Sequence, residues 1–337
     1  MKILITGGAG FIGSQIGCHL ENLGHDIILL DNMSYGHDDN LAIDGKNIGK
    51  FILCDVRDDK IDQYMHGVDA VIHMAGIAPL PDCQLNPCFA IDNNVIGTVN
   101  VLESCRRNGI KKFIFASTSA IYENCKTTPF IETSLEHEPD LVYAMSKRQC
   151  EIICKSYVTA YNMDVIMLRF FNVYGPHQDF RRKHPPLMGY ITKCLLNEMQ
   201  PTFYSDGEQK RDYVYVNDLI NLVEICLNRN DISGEIFNVA SGTAYSVKDI
   251  YNIFCNNFGF HIKPQFKKAE SFWDKYPKLF EGQLALSYSR VEDEVNKFSL
   301  GSSQKAHKVL GWKPKVDISE GIKNIVEYCK NNIGELT

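Results

Sequence analysis

The stretch Lys2-Ile-Leu-Ile-Thr-Gly-Gly-Ala-Gly-Phe-Ile-Gly13 decides the fold. Its first five residues form a continuous, β-branched apolar run, as a parallel strand buried on both faces requires. The glycines stand where that strand would turn into a helix. Gly8, Gly10 and Gly13 fit G-x-G-x-x-G, and Gly7, Gly10 and Gly13 equally fit G-x-x-G-x-x-G. In this context glycines give a tight turn, let the backbone approach a pyrophosphate and let the helix pack close to the strand. The helix N-terminus then favours the phosphates. A dinucleotide site is expected at this turn.

Further runs of the same kind follow at DIILLD (26–31), KFILCD (50–55), DAVIHMA (69–75), KKFIFAST (111–118) and DVIMLRF (164–170). Phe89, Val95, Val99 and Leu102 have the spacing of a helix crossing the sheet, and Met145, Ile152, Ile153, Tyr157 and Tyr161 predict the apolar stripe of another. The class is α/β, a doubly wound parallel sheet of Rossmann type with a smaller C-terminal α/β substrate-binding domain. Prolines 176, 185, 186 and 201 punctuate shorter elements after Gly175. The division is therefore placed at 1–175 and 176–337. DYVYV (212–216) and EIFNVA (235–240) are read as returns to the sheet, near 211–240.

The 35 basic and 41 acidic residues leave a net charge of -6, which gives no basic footprint for nucleic acid or an anionic membrane. No apolar run is long enough to span a bilayer, and Met1-Lys2 leads straight into a strand, so a cytoplasmic protein is expected. The 12 cysteines include no C-x-x-C pair and read as reduced core thiols. Cys150 and Cys154 share a helical face, but no second pair matches them as a metal site would need, and no metal is expected.

Asp31 closes the second strand, 18 residues after Gly13, where a carboxylate either accepts hydrogen bonds from adenosine ribose hydroxyls or caps the strand end. It would repel a 2′-phosphate, and no arginine follows in DNMSYGHDDN (31–40), so NAD is expected rather than NADP. Asp55 either accepts from the adenine amino group or forms a turn. Tyr143-Ala-Met-Ser-Lys147 puts a phenol and an ammonium one helical turn apart on one face. A tyrosine of pKa ~10 is a poor base at neutral pH, and a neighbouring cation with cofactor charge lowers that value. The pair follows FASTSAIY (115–122), whose hydroxyls are placed to orient a substrate alcohol toward the phenolate.

With HMAG (73–76), NNVIGTVNVLE (93–103), LRFFNVYGPHQ (168–178), RDYVYVNDL (211–219), FNVASG (237–242) and KVLGWKPK (308–315), the chain resembles the extended short-chain dehydrogenase/reductases nearly end to end. The likeness is to their NAD-dependent nucleotide-sugar epimerase/dehydratase branch. It implies Thr118 as catalytic hydroxyl, with Ser117 and Ser119 as neighbouring alternatives, Tyr143 as base, and Lys147 on the nicotinamide ribose. It implies a cofactor site of Gly7, Gly8, Gly10, Phe11, Ile12, Gly13, Asp31, Asn32, Asp55, Val56, Ala75, Gly76 and Asn94, together with Tyr143 and Lys147.

Related 4,6-dehydratases follow the catalytic threonine with Asp-Glu, the acid and base that eliminate water, and related decarboxylases keep the glutamate. Ser119-Ala120 stand here. The resemblance thus implies 4-epimerisation of a UDP-hexose or UDP-N-acetylhexosamine through a 4-keto sugar. The alternatives are a 4-keto-sugar reductase, an epimerase at another carbon or on another nucleotide, and a NAD-sensing protein that has lost catalysis. The intact Thr118, Tyr143 and Lys147 argue against the last. For the diphosphate the resemblance implies Asn172, Arg211 and Arg290, with Asp293 near the nucleotide ribose; surface ion pairing is the other reading of Arg290. Ser299 is expected to face the sugar and leave room for an acetamido group, while a count from Arg290 puts Lys297 there. The basic stretch FRRKHPPLMGY (180–190) either reshapes the pocket or is a solvated loop. A homodimer pairing the helices of 89–107 and 144–161 is implied as well.

Overall fold

The computed structural model describes residues 1–43, 45–178, 180 and 185–332. The basic residues 181–183 lie outside the described residues, so the expectation for that loop has no structural counterpart. Strand β1 (Lys2–Thr6) leads through helix α1 (Phe11–Asn22) to β2 (Asp26–Asp31). A small hairpin, β3 (Ala42–Ile43) and β4 (Lys46–Asn47), precedes β5 (Lys50–Leu53) and β6 (Ala70–His73). Helices α2 (Leu80–Leu85), α3 (Pro87–Ile91) and α4 (Gly97–Arg107), the last two joined by a π turn at Asp92–Ile96, cross to β7 (Lys112–Thr118). Helix α5 (Val142–Tyr161) then leads to β8 (Asp164–Phe170).

These strands and β12 (Ile236–Val239) form one parallel sheet in the order β12-β8-β7-β6-β1-β2-β5. Alternation within each strand fills a core on either side. Ile3, Ile5, Ile27 and Leu29 enter one cluster, while Leu4, Ile28, Leu30 and Phe113 enter the other. The chain winds outward from β1 to β5, then crosses back to β6 and proceeds to β12. A crevice therefore opens at the C-terminal ends of β1 and β6.

The other elements build a second lobe. Strand β9 (Asn172–Tyr174) pairs with β11 (Lys210–Tyr215), which pairs with β13 (Ala244–Ser246). Strand β10 (Thr202–Tyr204) pairs with β14 (Gln265–Lys267). Helices α6 (Leu187–Leu196), α8 (Val247–Phe258) and α11 (Ile318–Asn331) enclose a third core. Helices α7 (Val216–Leu227) and α10 (Gln304–Leu310) pack on the first sheet, and α9 (Tyr288–Asn296) belongs to the second lobe.

Two expectations change. EIFNVA does return to the main sheet as β12, whereas DYVYV lies in the three-stranded sheet of the second lobe. The reason is that β11 is buried between two cores: Tyr213 and Tyr215 enter the lobe, and Val214 and the adjoining Val216 enter the sheet side. The face of α5 also differs. Its buried residues are Ala144, Ser146, Lys147, Cys150, Glu151, Cys154 and Tyr157, while Ile152 and Tyr161 are each 51% exposed. Arg169 of β8 neutralises Glu151 inside the protein, so a charged position joins the buried stripe. Among the described residues no helix is long and apolar enough to cross a membrane.

Candidate active site

At the crevice the glycine turn is closed by sterics. Gly7 has φ +67° and a Cβ there would lie 2.7 Å from Ala75 N, while one on Gly13 would lie 2.2 Å from Gly7 O. Gly7, Gly10, Phe11, Ile12 and Gly13 border a cleft of about 370 Å³, and Gly8 packs against Leu29 instead. The wider glycine spacing is thus the one that faces the cleft. No side chain caps the start of α1, leaving its first N–H groups for phosphate.

Asp31, Asn32 and Val56 border the same cleft. Asp31 accepts from Ala9 N–H at 3.1 Å and Met33 N–H at 2.8 Å, and burial raises its pKa against those bonds. A carboxylate has about four acceptor positions, so capacity remains for ribose hydroxyls. Asp31→Ala is expected to weaken NAD binding and narrow the preference over NADP. Cofactor titration of both proteins checks this, and an unchanged preference would leave Asp31 a loop anchor only.

Asp55 is a residue held by the scaffold. Its carboxylate is held by Arg57 Nε at 2.9 Å, by a second Arg57 nitrogen at 2.7 Å and by Asn32 Nδ2 at 2.8 Å. The Arg57 guanidinium keeps it well below the usual carboxylate range. It does not border the cleft and anchors the wall on which Val56 sits. Asn94 is another. Its amide brackets Ile77, accepting from the N–H at 2.7 Å and donating to the carbonyl at 3.1 Å, and also donates to Ser146 Oγ at 3.0 Å. The π turn places Asn93 on the cleft and turns Asn94 inward, where it positions Gly76 and Ile77.

Ala75, Gly76, Thr118, Tyr143 and Lys147 line the far end. Thr118 ends β7 beside the Tyr143 phenol, and its Oγ1 accepts from Ala120 N–H at 3.1 Å. Ser117 donates to buried Glu151 at 2.6 Å, so its hydroxyl is engaged away from Tyr143. Lys147 donates to Ala116 O at 2.9 Å. The lowered phenol pKa expected from Lys147 is not found in the protein alone. Burial pushes Tyr143 up to about 12, opposed by the neighbouring Thr118 hydroxyl, and burial lowers the Lys147 ammonium. Burial of the phenol sets this direction, while the Lys147 ammonium is engaged by the Ala116 carbonyl.

The cleft shares Ser34, Tyr35, Ala78, Val173, Gln178 and Pro186 with a second cavity of about 970 Å³, between the sheet and the second lobe. Asn172 borders that cavity, and so do Pro186 and Leu187 at the start of α6. The expected diphosphate ligands Arg211 and Arg290 do not border it. Arg211 donates to the carbonyls of Glu294 at 2.9 Å and Val295 at 3.3 Å, closing the end of α9. Arg290 pairs at 2.8 Å with Glu123, whose side chain is 1% exposed and which also accepts from Leu141 N–H at 2.8 Å, just ahead of α5. The ion-pair reading of Arg290 therefore describes this structure, with the pair buried rather than at the surface.

Asp293 lies exposed on the outer face of α9, and its neighbour Glu294 borders the cavity instead, because the helical turn separates adjacent residues by a wide angle. Ser299 packs inward. It is buried beside β11, its N–H donating to Lys210 O at 3.0 Å, and does not line the cavity. Lys297, the other register, joins Glu294 at 3.8 Å. Gln178 and Trp273 line the cavity without having been singled out from the sequence. Gln178 sits in the quoted block 168–178, whereas no motif marks Trp273.

The profile of the NAD dependent epimerase/dehydratase family matches residues 3–240. A Methanocaldococcus jannaschii protein provisionally described as a UDP-glucose 4-epimerase is 34% identical, over 98% of this chain and 99% of its own. The structure of a Thermotoga maritima UDP-glucose 4-epimerase with UDP-glucose superposes with a TM-score of 0.86 at 30% identity, covering 99% of this chain and 100% of that one. A UDP-N-acetylglucosamine 4-epimerase from Methanobrevibacter ruminantium, in complex with UDP-N-acetylmuramic acid, gives 0.84 at 27% identity, covering 98% of each chain. The chain belongs to the NAD-dependent epimerase/dehydratase family.

Proposed function

We propose that this chain interconverts UDP-sugars differing in configuration at C4. The carrying observation is that Thr118, Tyr143 and Lys147 line one cofactor cleft, which adjoins the second cavity, with Ser119-Ala120 following Thr118 in place of an acid-base pair. Bound NAD supplies the acceptor and donor of the two C4 electrons. The Tyr143 phenolate oxygen takes the C4 hydroxyl proton, and Thr118 orients that hydroxyl. The phenol later returns the proton to the C4 oxygen after the keto-sugar has presented its other face. Turning needs room, which the large cavity provides. The similarity to UDP-sugar epimerases supports uridine as the nucleotide, and the uncapped start of α6 favours its phosphates. Arg211 and Arg290 are assigned to the diphosphate after leaving their present partners. The test is turnover on UDP-glucose and UDP-N-acetylglucosamine, resolved by NMR; failure on every UDP-sugar overturns the assignment.

The phenol must be deprotonated to act, so bound cofactor charge and Lys147 have to bring Tyr143 down from about 12. Removing a cation raises the pKa of a neighbouring phenol. Lys147→Met is therefore expected to shift the acid limb of kcat/KM to higher pH. A pH-rate profile checks this, and an unmoved limb would separate the limb from Tyr143.

Ile96, at the π turn just ahead of α4, is 52% exposed and Ile152 of α5 is 51% exposed, which supports assembly into a homodimer through these helices. Sedimentation at micromolar concentration should give twice the monomer mass, and a monomer would contradict it. Use of NAD and a nucleotide-sugar supports a cytoplasmic location.

A further inference from the structure

The turn that follows β7 starts at Thr118 and ends at Glu123. Ala120 N–H donates to Thr118 Oγ1 at 3.1 Å, and Glu123 N–H donates to Ala120 O at 3.0 Å, so both residues belong to one hydrogen-bonded turn. Glu123 is a carboxylate taken almost wholly out of water, its side chain 1% exposed. A buried charge is costly unless it is paired and hydrogen-bonded. Here both oxygens are used. Oε1 accepts from the N–H of Asp140 and, at 2.8 Å, from that of Leu141, while Oε2 accepts from Arg290 Nη2 of α9 at 2.8 Å.

Leu141 is the residue from which α5 starts. It brings no capping side chain, and the first turn of α5 holds no acidic residue. Glu123 supplies from another element both the acceptor for the cap N–H and the negative charge that a helix N-terminus favours. Tyr143 is the second residue of that helix and lines the cleft with Thr118. Glu123 thus ties the turn that carries Thr118 to the helix end that carries Tyr143, across a separation of 18 residues. Beside it, Asn124 Nδ2 donates to Glu138 O at 2.9 Å and Asp140 Oδ2 at 3.0 Å, a second fastening of the same loop. Glu123 borders neither the cofactor cleft nor the second cavity, so it acts through the backbone it holds.

We propose that Glu123 is a positioning residue for the Tyr143 base: it sets where α5 starts relative to Thr118, and Arg290 supplies the counter-charge that lets a carboxylate do so inside the protein. This rests on the reading of Tyr143 as proton acceptor in a UDP-sugar epimerase. Glu123→Gln keeps a carbonyl oxygen for the Leu141 N–H and drops the charge, whereas Glu123→Ala loses both. In NAD-loaded protein turning over a UDP-sugar, the alanine variant should lose roughly 10–100-fold in kcat, the scale of a displaced reacting group, and glutamine should restore most of it. UDP affinity by calorimetry should not weaken in either variant, because Arg290 is freed rather than removed. In a Tyr143→Phe background alanine should cost far less, since no phenol oxygen is left to place.

Unchanged kcat in Glu123→Ala, equal fold losses with and without the Tyr143 oxygen, or a parallel loss of UDP affinity overturns the proposal. If the alanine variant fails to fold, Glu123→Asp replaces it. Aspartate keeps the charge but is one methylene too short to reach both partners, so its kcat should fall below that of glutamine, and the reverse order overturns the proposal. Hydrogen exchange at the Asp140 and Leu141 amides needs no turnover. It should quicken in the alanine or aspartate variant and stay slow in glutamine, and unchanged protection overturns the proposal whether or not the chain epimerises a UDP-sugar. Exchange as expected without epimerisation by the unmodified protein would instead overturn the reaction and leave Glu123 as the anchor of α5.

Discussion

Tyr143→Phe is expected to lower kcat by roughly 10²–10⁴-fold, the usual contribution of a positioned proton acceptor, with NAD binding and folding nearly unchanged. The phenol lines the cofactor cleft together with Thr118 and Lys147. Phenylalanine keeps the ring and removes the oxygen, so substrate affinity should change far less than turnover. Steady-state kinetics on NAD-loaded protein separates the two effects. Near-normal turnover would remove Tyr143 from the chemistry.

The largest expected stability effect lies one turn beyond Lys147. Glu151 is fully buried and receives Arg169 through bonds of 2.8 Å to both carboxylate oxygens, with Ser117 as a third donor at 2.6 Å. Arg169 is 1% exposed and donates in addition to Tyr122 Oη at 2.7 Å and Glu132 O at 2.9 Å. Glu151→Ala leaves a buried guanidinium without its counter-charge, which costs about 3–5 kcal/mol. Replacing both partners with apolar residues should be much milder, because no charge is stranded. Urea denaturation of the single and double variants checks this. Equal losses in the two would contradict the ion-pair account.

The legible part of the fold was the part where strand residues face apolar surroundings on both sides. β1, β2 and β8 have the bounds of the apolar runs 2–6, 26–31 and 164–170 because parallel strands covered by helices admit little else. α5 was misread on its buried face because Lys147 and Glu151 count as polar on a helical stripe, although a carbonyl and Arg169 satisfy them inside. Asp55 and Asn94 sit at positions where a side chain can serve the ligand or the scaffold. The choice depends on Arg57 and on a π turn, neither visible as a pattern of residue types.

The second lobe was legible in motif and opaque in register. Arg211 and Arg290 carry the chemistry a diphosphate needs, but their present partners come from α9 and from Glu123, far away in the sequence. Ser299 could not be distinguished from Lys297 by counting, because the segment between Arg290 and Lys305 is longer than the spacing the resemblance implies. In the structure the Ser299 N–H pairs with Lys210 O of β11 and neither residue borders the cavity.

The most direct test of the epimerase account is to give NAD-loaded protein each C4 epimer of a UDP-sugar separately and follow the anomeric signals by NMR. The account predicts that both reactions reach the same mixture with no net accumulation of reduced cofactor. Failure to form the second epimer from any UDP-sugar, or reduced cofactor appearing in step with product, would contradict it.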